Sequence, residues 1–151
     1  MSCEYIIDFI NFAIQNEEEA CALYESYAVK APSAAQRTLL KEMAAMERTH
    51  AEKLKTFIEN GKSEFSTQKI AYDLHIADFA IPMELSVNSS LEDIFIFSIQ
   101  SEEKAYQLYT KLAFLETDEV AKKLFLSLAA DEKNHKFNLE TEYQKGISPE
   151  N

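Results

Sequence analysis

Shifted by 85 residues, the 151-residue sequence aligns with itself without a gap. Between Asp8 and Leu54, 16 of 47 aligned positions are identical, far more than chance supplies. Ile14-Gln15-Asn16-Glu17-Glu18-Glu19-Ala20 falls on Ile99-Gln100-Ser101-Glu102-Glu103-Lys104-Ala105, and Leu23-Tyr24 on Leu108-Tyr109. Further on, Glu47 falls on Glu132, His50 on His135 and Leu54 on Leu139. Whatever the first half folds into, the second half repeats, and each half must bury an apolar face. A shared binary pattern accounts for the matched leucines and alanines. It does not account for Glu and His matched at positions that ought to be apolar.

The repeat is helical. Apolar residues recur at three- and four-residue steps, and the sequence holds only two glycines, Gly61 and Gly146, and three prolines. That excludes a glycine-rich phosphate loop, a dinucleotide fingerprint and any fold that needs many tight turns. Four helices are predicted, over about 5–29, 33–59, 90–115 and 118–145. Pro32 breaks the first from the second, and Ser33 with Gln36 predicts a capping box. Asn60-Gly61 predicts the second helix's stop. Ser90 with Asp93 predicts another capping box. Thr117, with Asp118 and Glu119 in the first turn, predicts the fourth start. The two short connections make two antiparallel hairpins. Residues 60–89, which contain Pro82 and no sustained period, read as a long crossover between them. The expected architecture is all-α: a four-helix bundle of two antiparallel helical hairpins, in one domain over 1–151.

Charge narrows the partners. The formal net charge is 15 − 26 = −11, which argues against nucleic acid and anionic membrane surfaces. No apolar stretch approaches the length of a membrane helix, and no basic segment followed by an apolar run opens the chain. Cys3 and Cys21 form no disulfide framework. A cytoplasmic protein is expected.

The chemistry lies in the apolar stripes. Glu17 is surrounded at three, four and seven residues by Ile10, Ala13, Ile14, Ala20, Cys21 and Tyr24, so it points into the core. Glu18 and Glu19 have polar neighbours and face solvent. The same test picks Glu102, among Phe95, Ile99, Ala105, Tyr106 and Tyr109, and rejects Glu103. Glu47 lies among Leu40, Met43, Ala44, Ala51 and Leu54, with His50 one turn on. Glu132 lies among Phe125, Leu128, Ala129 and Leu139, with His135 one turn on and Lys136 at the edge of the stripe. Each helix therefore offers one core Glu, and two helices add a His three residues later. In both halves the two Glu are 30 residues apart. The bland alternative is a satisfied structural polar core. Four buried carboxylates, however, are expensive without compensation, and two divalent cations would offset them, moving the net charge from −11 + 4 to about −7. Mixed carboxylate and imidazole donors suit iron, manganese or zinc better than calcium. This is the ligand pattern of ferritin-like dinuclear centres. Asp131 is a candidate outer partner for a ligating histidine such as His50. Tyr24 and Tyr109 are candidates either for core packing or for bonds to the ligating carboxylates. His75, in the crossover, has no place in the pattern.

At these residues the chain resembles the rubrerythrin-like branch of the ferritin-like superfamily. Glu17-x-x-Ala20-x-x-x-Tyr24 with Glu47-Arg48-Thr49-His50, repeated as Glu102-x-x-Ala105-x-x-x-Tyr109 with Glu132-Lys133-Asn134-His135, is similar to its diiron motif. The resemblance covers about residues 5–145. It implies a ferritin-like bundle holding two iron ions and an oxygen- or peroxide-related redox role. It also implies Glu17 and Glu102 as terminal ligands, Glu47 and Glu132 as bridging ligands, and His50 and His135 as nitrogen ligands. Classical members carry paired C-x-x-C motifs in a rubredoxin-like domain, which these cysteines cannot form. A separate electron donor, such as a rubredoxin or a flavoprotein, is expected instead. Ala105 stands where those members carry an extra Glu, so their ligand exchange is not available in the same form.

Three functions compete. The first is reduction of peroxide or dioxygen at the dinuclear site. The second is iron handling, as a ferroxidase or storage protein. The third is a non-enzymatic metal-binding bundle. Phe79, Ile81, Pro82 and Met83 in the crossover could pack on their own bundle or on a second subunit, and a homodimer is expected.

Overall fold

The computed structural model describes residues 6–60, 76–79, 89–116 and 118–147. These form four long helices and no strand. They are α1 (Ile6–Ala28), α2 (Ala34–Glu59), α3 (Leu91–Leu115) and α4 (Glu119–Glu142). The class is all-α, a four-helix bundle built of two hairpins, as the repeat requires. Contacts divide the chain into two compact units, Met1–Ile76 and Ala77–Asn151. Among the described residues no helix is long and apolar enough to cross a membrane.

In the first unit α1 packs along α2. Its buried residues, Phe9, Ile10, Ala13, Cys21, Tyr24 and Ala28, follow one helical stripe. They face the α2 stripe of Leu40, Met43, Ala44, Ala51, Leu54 and Phe57. Surface ion pairs give the register. Lys55 meets Glu18 at 2.6 Å, and Arg48 meets Glu25. As α1 advances from 18 to 25, its partner on α2 retreats from 55 to 48, so the helices are antiparallel. The turn between them is closed by the Lys30 and Ala31 N–H groups, which both donate to the Tyr27 carbonyl. The Arg37 Nη1 donates to the Ala31 carbonyl at 2.9 Å.

The second unit repeats this arrangement with α3 along α4. Phe95, Leu108, Leu112 and Ala113 pack with Ala121, Phe125, Leu128, Ala129 and Leu139. Lys136 lies 3.5 Å from Glu103, at the edge of the stripe as expected. In the crossover, Ile76–Phe79 forms a single 3-10 turn. Phe79 is buried, and the Asp78 carbonyl accepts from Lys104 Nζ at 3.0 Å. Cys3, Gly61, His75, Ile81, Pro82 and Met83 lie outside the described residues.

The helix ends correct three expectations. At Ser90 the capping box is complete: Ser90 Oγ accepts from the Asp93 N–H, and Asp93 Oδ2 accepts from the Ser90 N–H. At Ser33 half of it forms. Ser33 Oγ accepts from the Gln36 N–H at 3.1 Å, but Gln36 is buried and its Oε1 makes no return bond. The cap of α4 is Asp118 rather than Thr117, which lies outside the described residues; Asp118 Oδ2 accepts from the Ala121 N–H at 2.9 Å. A carboxylate at that position also meets the positive end of the helix dipole. The fourth helix is regular only to Glu142 and then widens into a π turn, Tyr143–Ile147. Tyr143 Oη ties that turn to α3 by donating to Glu92 Oε1 at 2.8 Å.

Ser90→Ala, which removes the bond from the Asp93 N–H and leaves the Ser90 backbone N–H bonded to Asp93 Oδ2, is expected to cost about 1 kcal/mol. For a chain this size that lowers the melting temperature by about 2–4 °C. Ser33→Ala likewise removes one side-chain bond and is expected to cost about the same. Thermal unfolding followed by circular dichroism measures both; a variant that melts with the wild type would show that its cap contributes nothing.

Candidate metal centre

Each hairpin carries a buried Glu–Glu–His triad. In the first, Glu17 stands on α1 between Ala13 and Cys21, and Glu47 and His50 stand on α2 between Met43 and Leu54. The i, i+3 spacing of Glu47 and His50 puts both on one face. Glu17 is 3% exposed, Glu47 2% and His50 0%. His50 Nδ1 lies 3.5 Å from Glu17 Oε2 and 3.8 Å from Glu47 Oε2. One ligand atom from each of the three lies within 4.8 Å of the others.

The second hairpin reproduces this geometry. Glu102 on α3 is 2% exposed, and on α4 Glu132 is 0% and His135 6% exposed. His135 Nδ1 lies 3.5 Å from Glu102 Oε2 and 3.7 Å from Glu132 Oε2. These three residues likewise offer ligand atoms within 4.8 Å of one another. The rejected carboxylates stand outside: Glu18 and Glu19 are exposed, and Glu103 is half-buried against Lys136.

The donor sets fit a transition metal. Two donors 3.5–3.8 Å apart can both reach an ion placed about 2.1 Å from each, the bond length of imidazole and carboxylate ligands. Each triad offers two oxygens and one nitrogen, a mixture that favours iron, manganese or zinc over calcium. Summed over both triads, four carboxylates match the charge of two divalent ions.

The remaining candidates occupy different settings. Tyr24 and Tyr109 are each 1% exposed, a burial that fits both roles weighed for them. Asp131 is half-buried on α4 beside Glu132, while its repeat counterpart Met46 is 37% exposed. The two halves therefore differ just outside the triads. Cys21 lies one turn from Glu17 on the same stripe and is a free thiol. Burial first, and then the Glu25 carboxylate 3.6 Å away, raise its pKa above the ordinary thiol value. It therefore stays protonated at neutral pH, which suits neither metal binding nor nucleophilic chemistry. Its repeat counterpart is Tyr106.

Among the described residues, three buried polar residues lie outside the expected set: Gln36, Ser98 and Glu116. Ser98 Oγ donates to the Ile94 carbonyl at 2.7 Å. Glu116 Oε1 accepts from the Asp118 N–H at 2.9 Å and so shapes the turn before α4. Both roles are structural. Glu116 follows the end of α3 and escapes any test based on helix periodicity.

With this geometry in hand, the comparison with known proteins is direct. The family model described as Rubrerythrin matches residues 8–143. No curated protein matches the chain. Among solved structures, a hypothetical protein from Pyrococcus furiosus is similar with a TM-score of 0.71 and 23% sequence identity. The alignment covers 90% of this chain and 86% of that one. At that identity the likeness concerns the fold alone.

Proposed function

This chain belongs to the rubrerythrin family, and on that premise we propose that it is a non-haem diiron oxidoreductase that reduces peroxide or dioxygen. The observation that carries the proposal is the pair of matching buried triads, Glu17–Glu47–His50 and Glu102–Glu132–His135. In this reading these six residues would hold two iron ions. By the family's motif Glu17 and Glu102 would be terminal ligands, Glu47 and Glu132 bridging ligands, and His50 and His135 nitrogen ligands.

Bound iron supplies the reducing equivalents and the Lewis acidity that the reduction needs. The chain's own residues do the rest. The four carboxylates balance the charge of the ions, so little net charge is buried. The histidines add neutral donors that do not disturb this balance. Burial of all six side chains keeps bulk water from competing for the ligand positions. Asp131 and the two tyrosines are proposed to orient the ligands from outside by hydrogen bonds. A separate rubredoxin or flavoprotein restores the reduced state between turnovers.

Substoichiometric peroxide added to anaerobic, Fe(II)-loaded protein tests this. The expected result is rapid consumption of peroxide, with two irons oxidised per peroxide and all iron still bound. Slow oxidation at the rate of free Fe(II), or release of the iron, would overturn the enzymatic reading.

A further inference from the structure

The two triads match, but their surroundings do not. Beside the second triad, four charged residues form a rim: Glu103 on α3, and Lys136, Glu140 and Glu142 on α4. Lys136 follows His135 directly. Glu140 lies one turn beyond Lys136, and Glu142 lies two turns beyond His135 on the same face. Lys136 Nζ lies 3.5 Å from Glu103 Oε2 and 3.7 Å from Glu140 Oε1. Glu142 is half-buried. One lysine against three glutamates gives this rim a net charge of −2.

The internal repeat supplies the control. The corresponding positions in the first hairpin are Glu18, Ala51, Lys55 and Phe57. There Lys55 pairs with Glu18, which leaves no net charge. Ala51 and Phe57 are buried, so two apolar side chains stand where the second hairpin has Lys136 and Glu142. The histidines follow suit: the His50 side chain is 0% exposed and that of His135 8%. The helix ends differ as well. The Asn60 N–H closes α2 by donating to the Thr56 carbonyl, whereas α4 widens into its π turn directly after Glu142.

All these differences act on a metal ion in one direction. A cation leaving a buried triad loses its ligands before water replaces them. Apolar neighbours do nothing to offset that loss. Carboxylates do, because they are oxygen donors that a divalent ion accepts, and a negative rim draws cations toward it. The rim therefore lowers the barrier to both entry and exit without altering the triad. Ala51 and Phe57 keep the barrier of the first triad high.

We propose that the two metal positions exchange unequally, an inference that rests on the two-iron reading. The ion at His135 enters and leaves past Glu103, Lys136, Glu140 and Glu142, and the ion at His50 is retained. One-iron protein, with the first triad filled, is then the form that persists when free iron falls. Mixing anaerobic, Fe(II)-loaded full-length protein with excess ferrozine, which colours on binding Fe(II), tests this. The wild type is expected to release two ions per chain in two phases of equal size, at rates at least about tenfold apart. Glu102→Ala is expected to lose the fast phase and Glu17→Ala the slow one. Lys136→Ala/Glu142→Phe, which copies the first hairpin, is expected to slow the fast phase about tenfold and leave the slow phase unchanged. Glu140→Lys neutralises the rim at an exposed position, where the fold already accepts Lys55 in the other half. It is expected to slow the fast phase about threefold, and added salt to shrink that difference. Circular dichroism checks that both rim variants keep their helix content. A wild type that holds fewer than two ions would overturn the two-iron reading and this inference with it. Two ions released in a single phase would overturn the inference alone. So would a fast phase that survives Glu102→Ala, or one that keeps its rate in both rim variants.

Discussion

Protein carrying Glu47→Ala or Glu132→Ala is expected to lose both metal ions, whereas Glu17→Ala or Glu102→Ala loses mainly one. The asymmetry follows from the proposed roles. A bridging carboxylate serves two ions, so its removal weakens both and leaves excess positive charge between them. A terminal carboxylate serves one. Even residues that only orient a ligand change metal affinity by about 10–100-fold when replaced, so removing a ligand itself should exceed that range. All four carboxylates are 0–3% exposed. Elemental analysis after anaerobic loading and desalting measures the occupancy. The expected sequence is two ions per chain in the wild type, about one in the terminal variants and none in the bridging ones, if affinities fall by the factors above. Full loading of all four variants would remove these residues from the site. Equal losses in all four would retain them but discard the division into terminal and bridging ligands.

The same residues show how far a sequence carries the reasoning. Glu17 and Glu102 could be placed in the core because every neighbour at helical spacing is apolar, and both are buried in the structure. The repeat then separated signal from accident, since a charged residue matched across both halves at an apolar position is costly to keep without a purpose. Periodicity fails where a polar side chain is satisfied locally. Ser98 occupies a buried position whose counterpart is Ala13, and it tolerates burial because its hydroxyl bonds the Ile94 carbonyl one turn back. Gln36 reads as the return arm of a capping box, yet packing draws it inward. At the start of α4 two residues able to cap stand side by side. The choice of Asp118 depends on the turn that Glu116 organises, which lies outside any helical pattern.

Metal-free Glu47→Gln/Glu132→Gln protein is expected to melt higher than metal-free wild type, although the substitution destroys the site. In the absence of metal, the wild type must either keep carboxylates ionised in a dry interior or bind protons to neutralise them, and both cost free energy. Glutamine has nearly the same shape and no charge. Replacing buried ionic groups with neutral ones of similar volume commonly stabilises by about 1–4 kcal/mol, which for a chain of this length raises the melting temperature by roughly 2–4 °C per kcal/mol. Metal should reverse the order. At a free concentration one hundred times its dissociation constant, each bound ion adds about 2.7 kcal/mol to the wild type and little to the variant. Scanning calorimetry with and without Fe(II), under anaerobic conditions, therefore gives two signs to check. The variant is more stable without metal, and the wild type is more stable with it. A metal-free variant that melts lower than wild type would mean that Glu47 and Glu132 are held by hydrogen bonds worth more than their charge costs. The triads would then be structural polar cores. The crossing of the two orders is what distinguishes a site built to be filled from an interior that is already complete.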